Sequence, residues 1–446
     1  MTRRERAGVT APDHGARRWW KGGVALAVLL VAGFLVAAVA ALDLVRVRTV
    51  AASQAVPVAT GLSATPVTTG PAPRVDYARF EARIATLMQE PDMIGLAVGT
   101  VEDGQVRFVR GYGEVLAGSG QPVTPYTVFR WGSVSKGLAA SLVVKLAGQG
   151  GPALDTPVAN LGTSLRLPAG SEGVTVADVL SHRVGLPRNA WDDRLEGGED
   201  PRTLRSGLAA ITPVCPPSTC HSYQNIAFDT ATEIVEGAAG SSYAAAARTR
   251  LFAPLGMNSA STDRAGLEHA HSWARPHRFG RRSTTVNDVY YRIPAAGGVN
   301  SSISDLVRWM RAQMGAAPAV LSPATLETLH APRVATAPRG RRAAMDRALS
   351  GAAYGLGWRS FTYAGHHLVG HRGTVDGYGS LMLFDPATRS GIVMLWNSNW
   401  HRAARLQLEF FDMLYGLPPT DWLELKPRAA PAVPVLRSRL AVQSRG

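Results

Sequence analysis

Phe129–Leu138 reads FRWGSVSKGL, with Ser133 and Lys136 three residues apart just ahead of an apolar run. Residues at i and i+3 share a helix face, so a helix starting at Ser133 brings the hydroxyl and the amine together. A serine hydroxyl is a weak nucleophile and needs a base to take its proton. The first turn of a helix adds exposed N–H groups and the positive end of the helix dipole, which favour an oxyanion. A desolvated lysine held there can serve as the base. The plain explanation is equally available: serine is a good N-cap, and lysine is common on helix surfaces. Ser135 lies one residue from Lys136 and points elsewhere. On its own the stretch leaves both readings open.

Two further segments bear on the choice. CHSYQNIAFDTATEIVE, residues 220–236, places Tyr223 and Asn225 at the start of a second helical run. A tyrosine can share a proton with a serine–lysine pair and relay it to a leaving group. An asparagine can hold a substrate amide through both a donor and an acceptor. VGHRGTVDGYGS, residues 369–380, carries His371 and Gly373 into a strand. Glycine there lets the backbone come close to a substrate. An N–H just beyond it can join that of Ser133 as an oxyanion donor. Each residue also has a bland role, as core, cap or strand surface.

Taken in order, GSVSKG, YQN and HRG resemble the three motifs of serine β-lactamases and penicillin-binding proteins. The Ser-Val-Ser-Lys wording and Tyr-x-Asn are similar to the class C β-lactamase branch, with its DD-carboxypeptidases, D-aminopeptidases and esterases. VADVLSHRVGLPR (176–188), AAGGVNSSISDLVRW (295–309), YGLGW and the run GYGSLMLFDPATRSGIVMLWNSN also look family-like. The resemblance spans about residues 76–416. It implies Ser133 as the acylated nucleophile, with Lys136 and Tyr223 sharing acid–base work. It implies Asn225 holding the acyl side-chain amide and His371 and Gly373 in the third motif. The backbone N–H groups of Ser133 and Thr374 would form the oxyanion hole. The implied fold is α+β, of the β-lactamase/transpeptidase type: an antiparallel sheet flanked by helices, with a mostly helical subdomain. The third motif departs from the Lys-Thr-Gly of class C β-lactamases, which puts efficient β-lactam hydrolysis in doubt. An Arg372 facing the cleft would add a large cation there; strand alternation allows it to face away while His371 and Gly373 face the site, and that orientation is favoured.

The pattern along the chain agrees with that architecture. Residues 76–90 place Phe80, Ile84 and Leu87 at helical spacing. Residues 94–113 are two β-rich runs flanking Asp103–Gly104, a hairpin signal. The middle, about 150–330, is helical patches between Gly/Pro-rich loops, including a helix over 302–314 capped by Ser302 or Ser304. Strands are expected at 354–363, 366–373, 378–385 and 390–399, then a helix at 402–416. With the sheet drawn from about 76–130 and 350–416, a cleft is expected between the sheet edge and the helical block.

Outside that domain, residues 22–42 are 21 consecutive uncharged, mostly apolar residues, long enough to span a bilayer as a helix. Arg17, Arg18 and Lys21 precede them, and Trp19–Trp20 suit an interfacial belt, so the bulk of the chain is expected outside the cytoplasm. The expected layout is a basic cytoplasmic tail (1–21), a single transmembrane anchor (22–42), a Pro/Thr/Ala-rich linker (43–75), the hydrolase domain (76–416) and a flexible tail (417–446). Secretion after signal cleavage is the alternative; the length of the apolar run favours the anchor. Export favours a disulfide between the two cysteines, Cys215 and Cys220.

The net charge of +14 rests mainly on arginine, since lysine occurs only at 21, 136, 145 and 426. The charge is dispersed and lacks interleaved aromatics, which argues against a nucleic-acid partner. His269-x-His271 is the nearest approach to metal-ligand spacing, and no Asp-His follows it. No metal or cofactor is expected. The expected partner is a small-molecule or cell-wall peptide substrate, and the sequence is silent on oligomeric state. The function expected is a membrane-anchored serine hydrolase acting on a β-lactam, a D-amino-acid peptide or amide, or an ester. The alternative is a non-catalytic sensor of cell-wall fragments or penicillins on the same fold.

Overall fold

A computed structural model describes residues 72–278, 280–336 and 344–425. The proposed anchor, most of the proposed linker and residues 426–446 lie outside them. Among the described residues no helix is long and apolar enough to cross a membrane.

Helix α1 (Tyr77–Leu87) opens the domain, with the Asp76 carboxylate accepting the Arg79 N–H as its N-cap. Strands β1 (Gly95–Glu102) and β2 (Gln105–Gly113) form the hairpin expected from Asp103–Gly104. Both turn residues have positive φ, 51° and 78°, the geometry that Asp-Gly accepts readily. A short strand, β3 (Val128–Arg130), pairs with β6 (Asn300–Ser302) in a separate two-stranded sheet, outside the main sheet where the sequence reading had put it. Helix α2 (Ser135–Ala147) follows.

The helical block contributes α3 (Asp192–Glu196), α4 (Asn225–Phe228), α5 (Thr230–Ala239) and α6 (Pro294–Gly297). The two-residue strands β4 (His277–Arg278) and β5 (Arg282–Ser283) pair with each other. Helix α7 (Ile303–Gln313) is capped by Ser302, whose hydroxyl accepts the Asp305 N–H. Then come β7 (Val334–Ala335), β8 (Ser350–Tyr354), β9 (Arg359–Tyr363), β10 (His366–Val375), β11 (Tyr378–Asp385) and β12 (Ser390–Trp396). Helix α8 (Leu406–Tyr415) ends at Gly416, whose φ of 66° terminates the helix.

The main sheet is antiparallel throughout, in the order β2-β1-β12-β11-β10-β9-β8-β7. Alternation sorts its side chains. Leu96 and Val98 of β1, with Ile392, Met394 and Trp396 of β12, face α1 and α8. Ala97, Val393 and Leu395 face α7 and α2. Phe80 of α1 meets Phe410 of α8 at 6.0 Å between ring centroids, and Arg83 reaches Glu409 at 2.6 Å. Burying each such apolar side chain contributes about 1.5–3 kcal/mol.

Two boundaries differ from the sequence reading. The strand expected over 354–363 is broken by Gly355–Trp358, because Gly357 takes a φ of 74° and packs against the Lys136 backbone, where a Cβ would meet the carbonyl oxygen at 2.4 Å. Order also continues past Gly416. Leu423 is fully buried, and the Trp422 indole donates to Asp412 at 2.7 Å.

Candidate active site

The turn carrying Ser133 is pinned from three sides. β3 delivers Trp131, whose indole N–H donates to the Ser301 hydroxyl at 2.8 Å. The Trp131 carbonyl accepts the Ser380 hydroxyl of β11. Gly132, with φ of 50°, bends the chain into a 3-10 turn (Gly132–Val134) that runs on into α2. β10 presses on this turn. A Cβ on Gly373 would lie 2.0 Å from the Trp131 carbonyl oxygen and 3.0 Å from the Ser133 nitrogen. One on Gly132 would lie 3.0 Å from the Thr374 nitrogen. Only glycines let the two backbones approach so closely, and the approach gathers the Ser133 and Thr374 amides beside the Ser133 side chain.

Ser133 Oγ accepts the Tyr223 hydroxyl at 2.8 Å and stands 3.4 Å from Lys136 Nζ. Lys136 is fully buried. Its ammonium also donates to Asn225 Oδ1 at 2.7 Å and to the Ala296 carbonyl at 2.8 Å, and it lies 4.8 Å from the Tyr223 ring centroid. Three segments distant in sequence, 133–136, 223–225 and 296, therefore meet at one amine. Ser135 turns away and accepts the Val299 N–H at 3.1 Å.

Behind the amine sits a buried ion network that sequence reasoning missed. Arg205, 3% exposed, donates to Asp229 at 2.8 Å and to Glu233 at 2.9 Å. Asp229 also accepts the Ala295 N–H at 3.0 Å, which holds α6 and so aims the Ala296 carbonyl at Lys136.

Asp192 was missed as well. It opens α3 and accepts Asn225 Nδ2–H at 2.7 Å, so Asn225 bridges Lys136 and a carboxylate. A carboxylate only accepts, so it directs the asparagine amide nitrogen toward itself and the amide oxygen toward Lys136. Burial pushes the Asp192 carboxyl up to about 6, while the Asn225 bond and the Lys136 charge hold it down. The DD-x-x-E spacing of 192–196 was the available signal, and in sequence it reads as a solvated acidic face.

His371, 4% exposed, ends a chain of hydrogen bonds. The Gln224 N–H donates to His182 Nδ1 at 3.1 Å, so His182 Nε2–H donates to the Tyr354 hydroxyl at 3.2 Å. That hydroxyl donates to His371 Nε2 at 3.0 Å, and His371 Nδ1–H donates to the Arg372 carbonyl at 2.8 Å. Both ring nitrogens of His371 are thus within hydrogen-bond distance of a protein group. Burial holds His182 well below the ordinary histidine range, with the Lys136 charge adding to the effect. Arg372 lies opposite Leu381 of β11, with its guanidinium 3.5 Å from Met345 Sδ. Cys215 and Cys220 are disulfide-bonded. Among the described residues no cluster of three or more His, Cys, Asp or Glu is arranged to hold a metal.

These groups line a cleft of about 1170 Å³, whose wall includes Ser133, Asp192, Tyr223, Asn225, Arg359 and His371. A family model described as Beta-lactamase matches residues 80–409. The chain belongs to this β-lactamase family. Within it, the chain is 28% identical over 324 residues to the unguisins hydrolase ungD' of Aspergillus campestris, covering 69% of this chain and 59% of that protein. It is 28% identical over 352 residues to penicillin-binding protein 4 of Amycolatopsis lactamdurans, covering 76% of this chain and 90% of the relative. An octameric penicillin-binding protein homologue from Pyrococcus abyssi superposes with a TM-score of 0.69 at 25% identity, covering 77% of this chain and 78% of that one. The chain therefore spans less than two thirds of the unguisins hydrolase. The family membership supports a serine hydrolase with the α+β fold described above.

Proposed function

We propose that this protein is a membrane-anchored, extracytoplasmic serine hydrolase that works through an acyl-enzyme on Ser133. The supporting observation is the contact of Ser133 Oγ with both Tyr223 OH, at 2.8 Å, and Lys136 Nζ, at 3.4 Å. One member of the Lys136–Tyr223 pair must be deprotonated for the attack: Ser133 Oγ adds to the acyl carbonyl as its proton passes to the neutral Lys136 amine or to the Tyr223 phenolate. The Ser133 and Thr374 N–H groups take the charge developing on the carbonyl oxygen. The intermediate collapses, and Tyr223 returns the proton to the leaving amine or alkoxide. Water then attacks the acyl-enzyme by the same route in reverse. Residues 22–42 anchor the chain, and the catalytic domain faces away from the cytoplasm.

The substrate classes in view are D-amino-acid peptides or amides, esters and β-lactams. His371 and Arg372 stand where class C β-lactamases carry lysine and threonine, which makes a β-lactam the least favoured of the three. Wild-type protein should be labelled covalently by a fluorophosphonate or a fluorescent penicillin, and Ser133→Ala should not. Equal labelling of the two would defeat the assignment.

A further inference from the structure

Within the cleft, one carboxylate is left over by the acyl-transfer scheme. Asp192 uses Oδ2 to hold Asn225, while its Oδ1 is buried and has no hydrogen-bond partner. No lysine or arginine forms an ion pair with it among the described residues. The Lys136 charge acts on it from across the site, while Glu196 and Asp193 of the same helix add negative charge and Arg194 of that helix pairs with Glu199. Glu196 also lines the cleft and accepts the Tyr290 hydroxyl at 3.0 Å.

The carboxylate is held in place by deliberate packing. Trp191 precedes it with φ of 62°, a costly conformation for a bulky residue. The Trp191 ring fills the space over Gly207, where a Cβ would lie 2.6 Å from it, and Arg194 stacks on the ring at 4.2 Å. Arg292 donates to the Leu195, Gly198 and Glu199 carbonyls and ties down the far end of α3. Such anchoring keeps Asp192 at a fixed distance from the asparagine. That asparagine stands beside Lys136 and lines the cleft with Ser133, where the proposed function puts the acyl group. An amide carbonyl arriving there would meet a carboxylate oxygen. A protonated amine would supply the donor that Oδ1 lacks and the charge that the acidic helix lacks.

We propose that Asp192 is the acyl-side specificity residue and that the substrate carries a free, protonated primary amine there, as an aminoacyl amide or ester with an unblocked N-terminus does. This deepens the reading of Ser133 as the nucleophile and rests on it. The bonds made and broken are those of the acyl transfer above; the ammonium is bound and keeps its proton.

The test uses the full-length protein in detergent and matched pairs of alanine 4-nitroanilides, free-amine and N-acetylated, in both D and L forms. p-Nitrophenyl acetate, which has no acyl-side amine, reports on Ser133 separately. For the better enantiomer, kcat/KM should favour the free amine by about 10- to 100-fold, the value of one charge-assisted hydrogen bond in a partly desolvated site. Asp192→Asn should collapse that ratio toward one, and Asp192→Glu should keep part of it. An N-acetyl substrate cleaved as well as the free amine overturns the proposal without any variant. So does an Asp192→Asn protein that slows both partners alike, the sign of a residue that only orients Asn225. Hydrolysis of the acetate with neither free-amine anilide cleaved overturns the ammonium subsite and leaves Ser133 standing. Absence of Ser133-dependent acetate hydrolysis removes the nucleophile and the subsite together.

Discussion

Asp229→Ala tests whether the buried ion network supports the catalytic amine. Asp229 is 1% exposed and holds both Arg205 and the Ala295 N–H. Removing one partner of a buried ion pair costs about 3–5 kcal/mol, because the other charge is left uncompensated. Here Arg205 keeps Glu233 at 2.9 Å and the Ser164 hydroxyl at 2.8 Å, which puts the cost near the lower limit. Loss of the acceptor for the Ala295 N–H adds about 1 kcal/mol. The expected destabilisation is therefore about 4 kcal/mol, read as a lower urea midpoint at unchanged slope. Asp229→Asn keeps an acceptor and should lose less. The double variant Arg205→Met with Asp229→Leu should recover much of the loss, since no lone charge remains. The folded fraction of Asp229→Ala should also turn over an ester about tenfold more slowly, as the Ala296 carbonyl drifts from Lys136. A loss below about 1 kcal/mol would refute the energetic argument. Full activity in a destabilised protein would refute the link to Lys136.

Three further outcomes follow from the geometry. A Cβ on Gly137 would lie 2.3 Å from the Trp358 ring, so Gly137→Ala should destabilise by about 1–3 kcal/mol and lower kcat, with partial rescue by Trp358→Leu. Because burial depresses the His182 pKa, its neutral form stabilises the fold above the unfolded-state value. That stability should fall by about 1.4 kcal/mol per pH unit as pH drops below about 6.5, and His182→Asn should flatten the slope in chemical denaturation. Reducing the Cys215–Cys220 bond reopens a loop with a sequence separation of 5 and should lower stability by about 2 kcal/mol, measured as a midpoint shift with and without reductant.

Local chemistry made part of this molecule readable in advance. Asp103–Gly104 accepts positive φ readily and Gly365 supplies it beside Ala364, so the hairpins these turns join were legible. Ser133, Lys136, Tyr223 and Asn225, which the structure brings together, were readable as candidates because each motif is compact. Arg205, Asp229, Asp192 and the His182–Tyr354 pair were not found. They lie in separate loops, short helices and the end of β8, and each acquires its meaning only from a tertiary partner. The break at Gly355–Trp358 was missed because an aromatic, β-rich run outweighed two glycines, although Gly357 is the residue that lets that loop touch α2.

The pairing of β1 with β12 also governs the order of assembly. Leu96 lies opposite Trp396, so the sheet closes only when strands from the two ends of the domain meet. The nucleophile turn leans on β10 and β11, which join the sheet through β12. Such distant pairings pay their loop-closure entropy before any contact rewards it, and chains built on them fold slowly. A nascent chain halted before β12 would contain Ser133, Lys136, Tyr223 and Asn225 and still have no closed sheet behind them. On the proposed function, acylation of Ser133 should therefore begin only once β12 has paired.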